Sequence, residues 1–137
     1  MTYLLDTNIL AETRKRHPAA SVVSWLAATA PDRLHISTLT FGEIEQGITQ
    51  IRSRGDHQQA AALEGWIQAL EARFTERTLP VTLRIAIEWG RHARSQPLPI
   101  IDSLIAATAR VHGLTVVTRN VKDFERAGVE VLNPFTE

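Results

Sequence analysis

Residues 3–8, Tyr-Leu-Leu-Asp-Thr-Asn, constrain this chain more than any other stretch. Tyr3, Leu4 and Leu5 are apolar in succession, without the polar alternation of a strand that has one wet face. Such a run reads as a strand covered on both sides, as in the middle of a parallel sheet. It breaks at Asp6, and Thr7 and Asn8 follow, both good caps for the helical turn Ile9-Leu10-Ala11-Glu12. A carboxylate therefore stands at the carboxyl end of a buried strand just before a helix, which is where open α/β sheets bind ligands. Asp is also a preferred cap, so the segment alone fits equally well an acid that only starts the helix. The rest of the chain has to separate the two readings.

Strands and helices alternate from there onward. Arg14-Lys15-Arg16-His17 forms a basic loop, and Pro18 suits the start of a second helix with Val22, Trp25, Leu26 and Thr29 on one face. Leu34 to Ser37 reads as a second strand. Thr40-Phe41-Gly42-Glu43 has the form of a capping box, with Glu43 at the third helical position. Ile44, Ile48 and Ile51 form the stripe of that helix, and Gly47 beside them suits close packing. Gly55 closes it and Asp56 caps a long amphipathic helix carrying Ala60, Leu63, Ile67, Leu70 and Phe74. Thr78 to Val81 reads as a third strand, at an edge because of Pro80. Thr82 caps a helix with Ile85, Ala86, Trp89 and Ala93, and Ser95 to Pro99 forms a stiff loop. An alanine-rich helix spans Ile101 to His112, with Asp102 in its first turn and Gly113 as its stop. Leu114 to Thr118 is the clearest later strand, followed by a helical turn holding Asp123 and Phe124. Val129 to Leu132 is the last strand. This alternation, without internal repeat or linker, predicts one α/β domain over residues 1–137. Its sheet is parallel, of about five strands, with helices on both sides and right-handed crossovers that bring the strand-end acids to one rim.

Composition narrows the chemistry. The chain of 137 residues has 44% hydrophobic and 22% charged residues, ordinary for a folded globular domain, which excludes disorder. No apolar run approaches a membrane span, and Asp6 interrupts the hydrophobic start, so no transmembrane or signal segment is expected and the cytoplasm is the expected compartment. Cysteine is absent, so any metal must be held by oxygen or histidine. Fifteen basic residues balance fifteen acidic ones, so net charge does not announce a nucleic-acid binder. Lys15 and Lys122 are the two lysines, and every other cation is an arginine, the better partner for phosphate and for stacked bases.

Four acids occupy comparable places: Asp6 after the first strand, Glu43 and Asp102 in the first turns of helices, and Asp123 just after the Leu114–Thr118 strand. Each alone has an ordinary explanation as a helix cap or a complement to a helix dipole. Together they imply more, because carboxylates converging on one rim repel each other unless a cation neutralises them. With oxygen donors the cation would be hard, Mg²⁺ or Mn²⁺, able to activate water and to stabilise charge developing on a phosphate. His17, His35, His57, His92 and His112 show no ligand spacing with one another.

Leu4-Leu-Asp-Thr-Asn-Ile-Leu10, Glu43 within Thr40-Phe-Gly-Glu-Ile-Glu-Gln-Gly47, Asp102 within Ile101-Asp-Ser-Leu-Ile-Ala-Ala-Thr-Ala109, and Thr118-Arg-Asn-Val-Lys-Asp-Phe124 resemble the PIN domain in sequence and in order. Within it they are similar to the VapC-type toxins, particularly the FitB-like branch. The resemblance implies a Mg²⁺-dependent endoribonuclease toxin that a cognate antitoxin holds inactive, and a homodimer joined through exposed apolar helices within a larger toxin–antitoxin complex. It makes Asp6, Glu43, Asp102 and Asp123 the catalytic and metal-holding acids, and Asn8 and Thr118 their polar supports. Arg14, Lys15, Arg16 and Arg119, the cations closest in sequence to these acids, are expected to grip the RNA backbone or an acidic stretch of the antitoxin by charge that salt can screen. Other uses of the same rim fit less well. A receiver domain needs a further acidic pair after the first strand and a suitably placed lysine, and an aspartyl phosphatase needs an aspartate where Asn8 stands. A glycine-rich phosphate loop is missing. The remaining alternative is a catalytically silent PIN-like module that binds RNA or a protein partner.

Overall fold

The strand at Tyr3–Leu5 (β1) lies at the centre of a five-stranded sheet. In the computed structural model, which describes residues 1–95 and 98–136, its two leucines are essentially inaccessible, Leu4 facing one side of the sheet and Leu5 the other. Burial on both faces is why the run carries no alternation, and each leucine contributes roughly 2 kcal/mol of transfer free energy. Gln96 and Pro97, in the loop expected over Ser95 to Pro99, fall outside the described residues.

Helix α1 (Thr7–Thr13) follows β1, and α2 (Ala20–Ala28) leads through a short 3-10 turn to β2 (Leu34–Ser37). A long antiparallel pair, α3 (Thr38–Ser53) and α4 (His57–Arg73), precedes β3 (Thr78–Leu79). Helices α5 (Leu83–His92) and α6 (Ile100–His112) precede β4 (Thr115–Val117), and α7 (Val121–Arg126) precedes β5 (Val131–Leu132). All pairings are parallel and the strand order is β3-β2-β1-β4-β5. The chain winds outward from β1 on one side, then crosses back to wind outward on the other. The reversal falls between β1 and β4, and in open α/β sheets a crevice opens there at the carboxyl ends.

Period-two alternation divides the core. Leu5, Ile36 and Val117 point to the face covered by α1, α2 and α4, where Ile9, Leu10, Val22 and Leu70 pack on them. Leu4 and Val116 point to the face covered by α6 and α7, where Ile105, Ala106, Ala109 and Phe124 meet them. The small alanines of α6 allow that helix to lie close against the strands. Gly113 ends it at φ 66°, a left-handed cap that a side chain would strain. Among the described residues no helix is long and apolar enough to cross a membrane.

Most elements sit where the sequence puts them, with strands trimmed to their hydrogen-bonded centres. The clearest departure is at α3. Its cap is Ser37, whose Oγ accepts the Leu39 N–H at 3.1 Å, so the helix begins at Thr38 and Glu43 stands at its sixth position. There is accordingly no capping box: Thr40 lies inside the helix, fully buried, with its hydroxyl unpartnered among the described residues. Gly47 is likewise not a close-packing device, since a Cβ there would meet nothing within 4 Å.

Ser37→Ala should therefore lower stability by about 1 kcal/mol, the usual value of a lost cap. Thr40→Val, which keeps the shape and removes an unpaired hydroxyl, should leave stability unchanged or raise it. Urea titration of both variants checks this assignment. Loss at Thr40 with no loss at Ser37 would restore the capping box.

Candidate active site

Asp6 occupies the cap position of α1 and is 6% exposed, so burial pushes its carboxyl above the ordinary carboxylate value. Three donors oppose that push. Thr118, at the end of β4, gives its hydroxyl to Oδ2 at 2.8 Å, the Thr7 N–H meets Oδ1 at 2.8 Å, and Asn8 Nδ2 reaches Oδ2 at 3.2 Å. Asn8 also donates to Thr118 Oγ1 at 3.2 Å, and Thr118 Oγ1 accepts the Asn120 N–H at 2.9 Å. Asp6 is thus the cap of α1, and the same side chain stands in a network that reaches the end of β4.

Thr7 joins this network to α3. While its N–H serves Asp6, its hydroxyl donates to Glu43 Oε1 at 2.6 Å. Glu43 reaches the rim from the second turn of α3, a position that suits reach across the crevice better than capping. Asp102, third residue of α6, is half-buried, and its carboxyl is pushed up to about 6. Desolvation is the largest cause, followed by the charges of Asp6, Glu43 and Asp123 in that order. The structure therefore brings the other three expected acids within electrostatic reach of Asp102, with Asp123, on the first turn of α7, acting most weakly. Among the described residues no three of these groups, and no histidines, are drawn tightly enough to grip a single ion directly. The donor set fits a hard cation that keeps much of its water and touches only one or two carboxylates, which is how Mg²⁺ is usually held.

The expected basic cluster divides. Lys15 and Arg119 both approach Glu12, at 2.9 and 3.9 Å, on the side of α1 that leads to Asn8 and Asp6. Arg14 turns away, its guanidinium 5.5 Å from the centre of the Trp66 ring on α4, and Arg16 is simply exposed. Sequence reading missed Thr7 and Glu12 as parts of the site. Thr7 looked like a spare cap, and only the meeting of α1 with α3 gives its hydroxyl a partner. Glu12 showed no motif, although its place one helical turn before a basic loop was a usable signal.

With metal removed by EDTA, Asp102→Asn should melt higher than wild type at about pH 7.5, because the amide carries no charge for its neighbours to oppose. Asp102 has a folded pKa above its unfolded value, so its ionisation destabilises the fold at high pH. That penalty is relieved as pH falls through about 6 toward the ordinary 3.8. The advantage of the variant should shrink over the same window and diminish with added NaCl. Equal melting temperatures throughout would mean the acids do not act on one another.

The PIN domain family model matches residues 3–130. VapC ribonuclease Y4jK of Sinorhizobium fredii is 32% identical to the chain, with 96% of each covered. Toxin FitB of Neisseria gonorrhoeae is 29% identical, over 96% of this chain and 97% of that protein. A solved structure, FitAcB from Neisseria gonorrhoeae, superposes with a TM-score of 0.84 at 30% identity, covering 99% of this chain and 100% of that one. With the expected parallel sheet of five strands, four acids at one crevice and a family match across nearly its whole length, the chain belongs to the PIN domain family.

Proposed function

We propose that the chain is a Mg²⁺-dependent endoribonuclease, the toxin of a VapBC-like toxin–antitoxin pair, that hydrolyses RNA phosphodiester bonds with water. The observation that carries the reading is the gathering of acids around Asp102: burial first, and then the charges of Asp6, Glu43 and Asp123, push its carboxyl up to about 6, a cost that a bound cation would offset. The two relatives, named as a ribonuclease and a toxin, agree with it. Asp6, Glu43, Asp102 and Asp123 would hold Mg²⁺, or Mn²⁺ in its place. A bound ion there supplies activation of a water and compensation for charge developing on the phosphate. The chain's own residues do the rest. Thr118, Asn8 and the Thr7 N–H fix the Asp6 carboxylate, and the Thr7 hydroxyl fixes Glu43. Side chains locked in this way hold their positions without reorganising during reaction. Lys15 and Arg119 lie along the approach of a phosphate backbone, with Arg14 and Arg16 farther out.

Two surfaces suit protein partners. A groove of about 320 Å³ between α1, α2 and α4 is floored by Leu10, Leu26, Leu34, Leu70 and Phe74 and edged by Arg73 and Arg77. An antitoxin segment with an apolar face and flanking acids would fit it. On α5, Leu83 and Ile87 stand one turn apart and outward, at 78% and 46% exposure, the kind of face through which a homodimer would form. RNA as substrate places the proposed work in the cytoplasm.

Purified protein should cleave structured RNA with Mg²⁺ and stop with EDTA. Asp6→Asn, which keeps the shape and loses the charge, should reduce the rate about a hundredfold or more and leave the fold intact. Cleavage by the variant at the wild-type rate would put the site elsewhere. A cleavage-independent test is thermal: millimolar Mg²⁺ or Mn²⁺ should raise the melting temperature of wild type more than matched NaCl does, by binding only the folded state. An unmoved curve would contradict a converging site, and a protein that binds RNA without ever cutting it would be the silent module.

A further inference from the structure

Glu12 is the one carboxylate besides Asp6 among the described residues that the fold buries, at 5% exposure in the last turn of α1. A buried charge persists only with partners, and those of Glu12 come from three separate points of the chain. Oε2 accepts the Ala19 N–H at 2.8 Å, which closes the basic loop back over α1. Oε1 pairs with Lys15 Nζ at 2.9 Å and lies 3.9 Å from Arg119 Nη2. The Lys15 ammonium, with the Ala19 N–H, holds the Glu12 carboxyl below its ordinary range, so it is ionised at neutral pH. Arg119 is held at two further points: its backbone N–H donates to Asn8 Oδ1 at 3.2 Å, and its guanidinium lies 3.7 Å from the centre of the Phe135 ring. Asn8 in turn holds Asp6.

We propose that Glu12 is a positioning residue for the substrate: it holds Lys15 and Arg119 side by side, beside the acidic rim, as a paired clamp for one RNA backbone phosphate. The inference rests on the reading of the chain as a ribonuclease. Both cations have 57% of their side-chain surface exposed, so most of their donors face solvent while one edge is anchored. An arginine presents five N–H donors, and the long contact to Glu12 occupies at most one of them. Anchoring matters here because the site itself is negative and repels phosphate, and because ordering two long flexible side chains on binding would weaken affinity. The other account of Glu12 is that it merely closes the loop between α1 and α2 through the Ala19 N–H. In that account its charge is irrelevant and a glutamine would serve as well.

Glu12→Gln separates the two, since it keeps the size and an acceptor for Ala19 and removes the charge. The probes are a fluorescein-labelled single-stranded RNA of mixed sequence and bulk tRNA, both titrated in EDTA so that cleavage does not intervene. The clamp requires Glu12→Gln to bind several-fold more weakly, with the slope of log affinity against log salt reduced by about one. In a Lys15→Ala, Arg119→Ala background, Glu12→Gln should make no further difference. Lys15→Ala and Arg119→Ala, both at exposed side chains and safe for folding, should each lose about as much alone as together, because one phosphate needs both. Unchanged or tighter binding by Glu12→Gln, whatever its melting temperature, overturns the proposal, as do additive losses from the two cations or a wild-type protein that binds neither RNA. Wild type that binds RNA through this clamp but never cuts it with Mg²⁺ would defeat the ribonuclease reading and leave the clamp standing.

Discussion

The hydrogen bond from Thr118 to Asp6 joins the carboxyl ends of β4 and β1 across the point where the strand order reverses. The arrangement of the rim depends on it. A hydrogen bond to a charged group is worth about 1.5–3 kcal/mol when made, and an unsatisfied buried carboxylate would cost more than that. Asp6 can sit at 6% exposure because the end of β4 and the start of α1 supply its donors together. The same contacts then serve a second purpose. Thr7, having given its N–H to Asp6, has its hydroxyl free for Glu43, and Asn8, having reached Asp6, has its carbonyl free for Arg119. Precision spreads outward from one carboxylate.

That precision works against stability at one place. Asp102 receives no such set of donors, and its neighbours are charges of the same sign. The fold tolerates this because Asp102 is half-buried and solvent screens part of the repulsion. A sequence selected only for stability would neutralise one of these positions, and a place where local consistency gives way in this manner is where a site is to be sought.

Much of this was readable in advance, and for definite reasons. The unbroken run Tyr3-Leu4-Leu5 has one good explanation in a parallel sheet, and Asp6 stands at its end, so the central strand and the site's anchor came from the same six residues. Glu43, Asp102 and Asp123 could be grouped because strand–helix alternation puts every such junction on one rim. What failed was local ambiguity. Ser37 and Thr40 are both plausible caps, and Thr40 forms a motif with Glu43 that Ser37 does not. The choice fell to Ser37 because β2 runs up to it and its hydroxyl is already at the strand end. Thr7 was unreadable for another reason: its partner on α3 is remote in sequence, so no local window contains the interaction, whereas Glu12 has Lys15 and Ala19 close by and only Arg119 far off. Arg14, Lys15 and Arg16 looked like one unit, but the end of α1 turns them to different sides, toward Trp66 and toward Glu12.

A neutral chain that handles a polyanion cannot rely on its overall field. Fifteen cations and fifteen anions leave no net attraction for RNA at a distance, and beyond about 10 Å salt removes most of what local patches provide. Recognition must therefore be settled at contact, by which charges are presented and how firmly. On one side of α1 the carboxylates of Asp6 and Glu43 converge, and near its far end Glu12 draws Lys15 and Arg119 together. A helix of seven residues, about 10 Å long, lies between the two sets. The short helix after β1 is thus more than a connection back to the sheet: it fixes the spacing between the acids that repel phosphate and the cations proposed to receive it.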